Sequence, residues 1–552
     1  MKKLPLLAVL LLSSTLAAQA RAAAYYVGEI GARSIARGGA NLVNPKDPMA
    51  AWLNPAALTN AKGLQLELDL NLVFLNSSFT RDCGGLAEGC KAQADLHKEY
   101  AGGAHPYDVT ADRPDANVDA QPGPADVGAL GNLGTPSRFD GTGATLNQAG
   151  VQPVPRIMLS WNLDTFGLDG VALGAYVYAP SNGDFGFGAD TPTRYTLVDR
   201  DMLELYYGIA AAYRYSHWIA VGASFQLVSA GLDQRIQLSA DQYANEDPSY
   251  DILVHIAAYQ HFIPSGNFGV WTNPGKALGI GDLELGGSVQ LARGVKATGP
   301  ITLEHFGDNL VSEFLDPDGD PATPGLVAFS ADGATATAEF TLAPMYRVGA
   351  RYGLDDVMGD GKNTLAFDVE ADFVYEGWSV YDHVFLSTQG VVVDMNTGDD
   401  VAGEELDPVV QPKDWTDAWS ARVGGTVALW DRMLELHGGG FYETSAIPSS
   451  TYSVELVCGD KVGVGLGLSG SIAGVRLDVG YSHVQVFDRV VGDESIVYSG
   501  TSGPSLLMGG ADTKTRVAMG RYASAFDMVN VGLTWAIDQS FGYGAFAPSA
   551  KN

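Results

Sequence analysis

The chain has 552 residues and a formal net charge of −31, which excludes a nucleic-acid ligand, because a phosphate binder needs a basic footprint. Beyond the N-terminus no apolar run reaches the ~18 residues of a spanning helix, so helical membrane proteins are excluded as well. A mean hydropathy of +0.03 fits a membrane barrel or a soluble protein equally, and 68 glycines suit strands and turns better than long helices.

In chain order, residues 1–22 read as a secretory signal: Lys2 and Lys3, the apolar Leu6 to Leu12, then Ala18-Gln19-Ala20, with cleavage placed within 20–24. Residues 23–62 carry two compact elements, Arg33-Ser-Ile-Ala-Arg-Gly-Gly-Ala-Asn41 and Trp52-Leu-Asn-Pro-Ala-Ala-Leu58. Strict alternation follows. Leu64, Leu66, Leu68, Leu70 and Leu72 interleave with Gln65, Glu67, Asp69 and Asn71. Period two puts all the leucines on one strand face and all the polar groups on the other, which a membrane barrel requires.

About fourteen strand-like segments are predicted, near 64–80, 154–163, 170–179, 202–215, 218–231, 251–263, 278–293, 337–353, 363–377, 417–429, 433–443, 461–471, 474–487 and 527–537, with 264–277 left between strand and turn. Long connectors alternate with short ones such as Ser216-His217, Trp430-Asp431-Arg432 and Ile472-Ala473. A soluble sandwich has no reason to gather its long loops at one end; an outer-membrane barrel does so, with short periplasmic turns and long external loops. Val475, Leu477, Val479 and Tyr481 alternate with Arg476, Asp478, Gly480 and Ser482. Arg476 and Asp478 are costly in a small soluble core and acceptable in a lumen. Trp218 and Trp430 flank short turns, where an interfacial girdle is expected. The expected fold is therefore all-β: a transmembrane antiparallel barrel over 63–537, preceded by the compact segment 23–62 and followed by a tail at 538–552. Cys83 and Cys90 close a short loop and are expected to form a disulfide, with a metal site as the alternative; Cys458 is left over.

The Gly38-Gly39-Ala40 and Asn54-Pro55-Ala56 elements before a first alternating strand resemble the hatch of the FadL-like long-chain fatty acid and aromatic hydrocarbon transporters. Tyr178-Ala-Pro-Ser-Asn-Gly183, Tyr375-Glu-Gly-Trp-Ser379, Asp414-Trp-Thr-Asp-Ala-Trp419 and Glu455 to Tyr481 resemble further family segments in the same order. The resemblance implies a fourteen-stranded barrel of the bacterial outer membrane plugged by a small N-terminal hatch over 23–62, with Asn54 expected to hold the hatch against the wall near Pro180–Gly183. It implies passive uptake of long-chain fatty acids or aromatic or aliphatic hydrocarbons, with capture outside, a pocket above the hatch and lateral exit through the wall. Pro180, Asn182 and Gly183 are the expected kink, since proline cannot donate to a ladder and glycine permits a bend. The implied partners are a hydrophobic ligand and outer-membrane lipid and lipopolysaccharide, the chain acting as a monomer. A general or ion-selective porin and a secreted soluble β-protein are the alternatives. Two departures from the family pattern are the long 81–153 loop and the C-terminal tail.

Remaining motifs point away from chemistry. Gly465-Leu-Gly467-Leu-Ser-Gly470 matches a dinucleotide fingerprint but lies inside a period-two strand, where glycines leave lumen space. Asp316, Asp318 and Asp320 sit in a predicted external loop as a weak calcium candidate without the distal glutamate; Asp394-Met-Asn396-Thr-Gly-Asp399 is weaker still. There is no Walker A, GxSxG or HExxH pattern, so neither an enzyme nor a cofactor is expected, and His437 and His483 are read as packing or lumen residues.

Overall fold

A computed structural model of the chain describes residues 31–81, 144–146, 151–188, 193–239, 251–279, 281–305, 312–314, 325–331, 333–355, 357–358, 365–396, 404–405, 408–456, 458–498 and 516–537. The signal, Cys83, Cys90, Asp316, Asp318, Asp320 and the 538–552 tail lie outside the described residues.

Fourteen antiparallel strands form a closed barrel. They are β1 (Leu64–Arg81), β2 (Gln152–Asn162), β3 (Val171–Gly186), β4 (Asp199–Ser216), β5 (Ile219–Ser239), β6 (Asp251–Thr272), β7 (Asp282–Gln290 and Arg293–His305), β8 (Thr335–Leu342 and Met345–Leu354), β9 (Leu365–Glu376 and His383–Gln389), β10 (Val409–Pro412 and Ala418–Leu429), β11 (Leu434–Glu443), β12 (Lys461–Ile472), β13 (Val475–Val491) and β14 (Gly520–Ala536). β1 pairs with β14 from Gln65↔Ala536 to Arg81↔Gly520, which removes the sheet edge. All fourteen sequence segments are strands. β3 and β5 run well past their expected ends, and 264–277 resolves into the rest of β6, a capping Asn273 whose Oδ1 accepts from Lys276 N at 2.9 Å, and the short helix α3 (Pro274–Leu278).

Alternation sorts the side chains as the period demands. Leu68 and Leu70 face outward while Glu67, Asp69 and Asn71 are buried inside, and Arg476 and Asp478 are lumenal. The outer face is an apolar belt that includes Ile209, Phe225, Val270, Val423, Leu466 and Leu477. Trp218, Trp430 and Trp535 mark its short-turn rim. His483 departs from the lumen expectation: it points outward and pairs with Asp527 at 2.9 Å. The β12–β13 hairpin turns on Ala473 and Gly474 with φ of 50° and 78°, the mirror-image turn that suits strand twist.

At the long-loop end β7, β8, β9 and β10 are each interrupted at a similar height, and their upper halves form a hood. Its outer face is polar, with Lys296 paired to Glu339 at 2.6 Å and Thr298 to Thr337 at 3.0 Å. Beneath the interruptions Trp378, Tyr381 and Trp415 pack together, Tyr381 and Trp415 stacked at 4.2 Å. The two tryptophan signatures therefore form a buried hinge-level cluster. Ser312–Phe314, Gly325–Ser330, Val392–Asn396 and Glu404–Glu405 make a separate small sheet.

Candidate functional site

The lumen is filled at the short-turn end by the hatch: α1 (Ala32–Ala36), α2 (Ala50–Leu53) and a 3-10 turn (Pro55–Asn60), all largely buried. The chain leaves α1 through Gly38 and Gly39 at φ 62° and 79°, a left-handed pair that side chains disfavour. This turn aims Arg37 at the wall. Its Nε donates to Ala40 O at 2.8 Å, Nη1 to Asp368 Oδ1 at 2.8 Å and Nη2 to Glu370 Oε2 at 3.2 Å. Burial alone would lower the Arg37 pKa, but Asp368 and Glu370 raise it above its ordinary value, so the cation is fixed. Backbone N–H groups of Leu42 and Val43 donate to Asp372 and Glu370, and Asn44 donates to Glu284 at 2.8 Å. On the opposite side Asp47 meets Arg33 and Arg476, each at 3.4 Å.

Asn54 caps the 3-10 turn: its Oδ1 accepts from Ala56 N at 3.2 Å and its Nδ2 donates to Val270 O of β6 at 3.0 Å. Asn54 thus meets β6 and neighbouring β7 rather than the Pro180–Gly183 stretch of β3. Gly269 and Gly286, which face it, have no side chains to keep the amide away. Glycines of β10 to β13 do the same for the other half of the hatch: a Cβ at Gly424 or Gly439 would strike Arg37 backbone, and one at Gly465 would strike Ile35 O. The space that Gly465 leaves is thus occupied by the hatch.

Trp52 tops the plug, 1 % exposed, with its ring 4.7 Å from Tyr178 and 4.6 Å from Tyr206. At this height the β2–β3 ladder, running from Asn162↔Ala172, stops at Ile157↔Val177, while β3 continues to Gly186. Its register with β4 slips between Tyr178 and Ser181, at Pro180. Of the sequence-predicted kink residues, Pro180 sits at this slip, while Asn182 and Gly183 pair regularly with Leu203 and Met202 of β4.

Above the hatch and under the hood lies a cavity of about 190 Å³ whose apolar lining includes Met202, Leu232, Ile256, Phe340, Tyr381 and Leu386. Polar side chains share the lining, and four of them are charged: Arg200, Glu204, Lys413 and Glu455. Glu204 is matched by Arg293 at 2.6 Å and Glu455 by Lys413 at 3.0 Å. Burial would raise the Glu455 carboxyl, but Lys413 and then Arg200 hold it below its ordinary value. Arg200 is different. It is 5 % exposed, Nη1 only reaches Gln234 Oε1 at 3.4 Å, and its Nε and Nη2 have no hydrogen-bond partner among the described residues. No local pattern could have singled out Arg200, because the lining comes from strands and loops scattered from Tyr195 to Tyr498. Among the described residues no His, Cys, Asp and Glu group is arranged to hold a metal.

No protein-family profile matches the sequence, and no curated protein is similar to it. Solved structures are similar in fold. A Pseudomonas aeruginosa FadL homologue superposes with a TM-score of 0.65 at 17 % identity, covering 94 % of this chain and 100 % of that one. The Pseudomonas putida toluene transporter TodX gives 0.55 at 13 %, covering 93 % and 98 %, and the Ralstonia pickettii toluene transporter TbuX gives 0.53 at 14 %, covering 92 % and 98 %. At such identities the likeness is one of fold: this chain is a plugged fourteen-stranded barrel built like the FadL homologue and the toluene transporters.

Proposed function

We propose that the chain is an outer-membrane transporter for passive uptake of hydrophobic small molecules, captured at the long-loop end and released sideways through the wall. One observation carries this reading: a largely apolar cavity beneath the hood, inside a barrel whose outer face is an apolar belt. A general porin needs an open polar lumen, and here the lumen is occupied from wall to wall by the hatch. The β2–β3 discontinuity at Pro180, Asn182 and Gly183 is the proposed exit, and displacement of Trp52 from Tyr178 and Tyr206 would open it.

The cavity favours one ligand class over another. Toluene needs no buried cation. Arg200 lines a largely apolar chamber close enough to Glu455 to hold its carboxyl down, and a guanidinium there suits a molecule with an apolar tail and a carboxylate head, because a charge-assisted hydrogen bond offsets the burial of the head. Long-chain fatty acids have that form. The test is binding of labelled palmitate and of labelled toluene to the purified protein and to its Arg200→Met variant. A lost charged hydrogen bond of about 1.5–3 kcal/mol predicts a roughly 10- to 100-fold weaker palmitate affinity, with toluene unaffected. Equal loss for both ligands, or none for either, would refute the headgroup role.

A further inference from the structure

A second interruption in the wall lies between β6 and β7. Their pairing holds from Thr272↔Leu285 to Asn267↔Gln290 and resumes at Tyr259↔Thr298. Between these points residues 260–266 and 291–297 face each other without a ladder. The hydrogen bonds that cross are Lys296 N to Gln260 Oε1 at 2.5 Å, Leu291 N to Gly266 O at 3.0 Å and the long Ser265 Oγ to Leu291 O at 3.5 Å. β6 is itself irregular here. Its register with β5 slips between Val228 and Ala230, and the extruded Phe262 has φ 61° and points outward at 63 % exposure. Pro264 can donate nothing to a partner strand. A wall surrounded by lipid gains from a complete ladder, so a proline-bearing gap in it is a feature that calls for a use.

The cavity supplies that use. Ala230 and Gly231 line it from β5, and they are the ladder partners of Gln260 and Tyr259. Phe340 and Leu342 line it from β8, and they are the ladder partners of Val295 and Arg293. The seam is therefore the strip of wall between the two flanks of the cavity. Outside it stand Phe262, Phe268 and Leu291, all exposed and apolar. The β2–β3 discontinuity is placed differently: Trp52, Tyr178 and Tyr206 stand behind it, and none of the three lines the cavity.

We infer that the β6–β7 seam is a second lateral passage, through which apolar ligand exchanges between the cavity and the surrounding outer leaflet without displacing the hatch. The inference rests on the transport reading above. Parting the seam breaks a few isolated hydrogen bonds instead of a cooperative ladder, and Phe262 and Leu291 outside and Phe340 and Leu342 within offer the ligand apolar contacts on either side, beside the exposed Lys296.

The test is a staple. Continuing the Asn267↔Gln290 register places Ser265 opposite Ala292, so the double variant Ser265→Cys/Ala292→Cys can lock the seam with a disulfide. Accumulation of labelled palmitate is compared in cells making wild-type protein, the double variant before and after mild reduction, and no protein. The expected result is loss of most accumulation in the oxidised variant and its return on reduction. Full accumulation with the disulfide demonstrated by mass spectrometry overturns the seam and leaves the transport reading standing. Equal accumulation in wild-type cells and cells without the chain overturns both. An independent measurement needs no variant: a photoactivatable diazirine palmitate irradiated on the wild-type protein should label peptides spanning 259–266 and 291–297. Label at the β2–β3 discontinuity alone overturns the seam.

Discussion

Individual side chains set how firmly the hatch is held. Asn54 satisfies two partners at once, one within the hatch and one on β6. Asn54→Ala should remove both hydrogen bonds and cost about 1–3 kcal/mol. The barrel should assemble normally while palmitate uptake changes, measured in cells with equal surface levels; wild-type uptake would show that this anchor does not bear on passage. Lys46 gives the hatch a pH dependence. Burial, then the neighbouring Arg432 and Arg351, lower its pKa to about 8 from an ordinary 10.5. The folded hatch thus disfavours the charged amine. Between about pH 8 and 10.5 the undocked state binds more protons than the docked one, so docking strengthens as pH rises through that window and gains nothing below it. The urea midpoint for loss of hatch structure should therefore be higher at pH 9.5 than at pH 7, and Lys46→Met should flatten the difference.

Elements meet through surfaces made of missing side chains. The hatch turn after α1 lies against β10 and β11, where Gly424 and Gly439 admit the Arg37 backbone. This close approach is also what lets Arg37 reach Asp368 and Glu370. Gly439→Val would place a branched side chain in occupied space, and overpacking of this kind costs typically about 1–3 kcal/mol, occasionally more. Losing the Arg37 pairing as well would leave buried carboxylates uncompensated, at roughly 3–5 kcal/mol. Gly470 on β12 is the control, because a Cβ there meets nothing within 4 Å. Limited proteolysis of the purified barrel should release hatch peptides from Gly439→Val and not from Gly470→Val. Identical digests would show that the glycine seat does not position the hatch.

The whole molecule behaves as a closed cylinder with an apolar exterior. Closure by β1 and β14 means that no strand can leave without breaking ladders on both sides, so unfolding should be cooperative and resistant to mild detergent. Unheated protein in sodium dodecyl sulfate should migrate differently from boiled protein on a gel. Mature protein found freely soluble, with no such shift, would sink the membrane reading. The strand interruptions of β7 to β10 act at the same scale: they let one side of the cylinder fold inward as a hood, and the chamber beneath it exists because of them.

What the sequence by itself determined is everything governed by period and turn chemistry. Alternation from Leu64 onward fixed which face of each strand meets lipid, since a side-chain period of two leaves no other assignment. Short connectors read at Ile472-Ala473 and Trp430 to Arg432 marked the hairpins, the first of them one residue before the Ala473-Gly474 turn of the structure, and the resemblance of Gly38, Gly39 and Asn54 to a family hatch implied the plug. The tertiary structure decided the rest, because it depends on distances between remote segments. It moved the Asn54 anchor to β6, turned His483 outward, filled the space left by Gly465 with the hatch, and gathered Arg200, Glu204, Lys413 and Glu455 around one chamber. A ladder that stops at Val177 or skips 260–266 leaves no local trace beyond a proline, since whether a backbone group has a partner is a property of two strands and not of one.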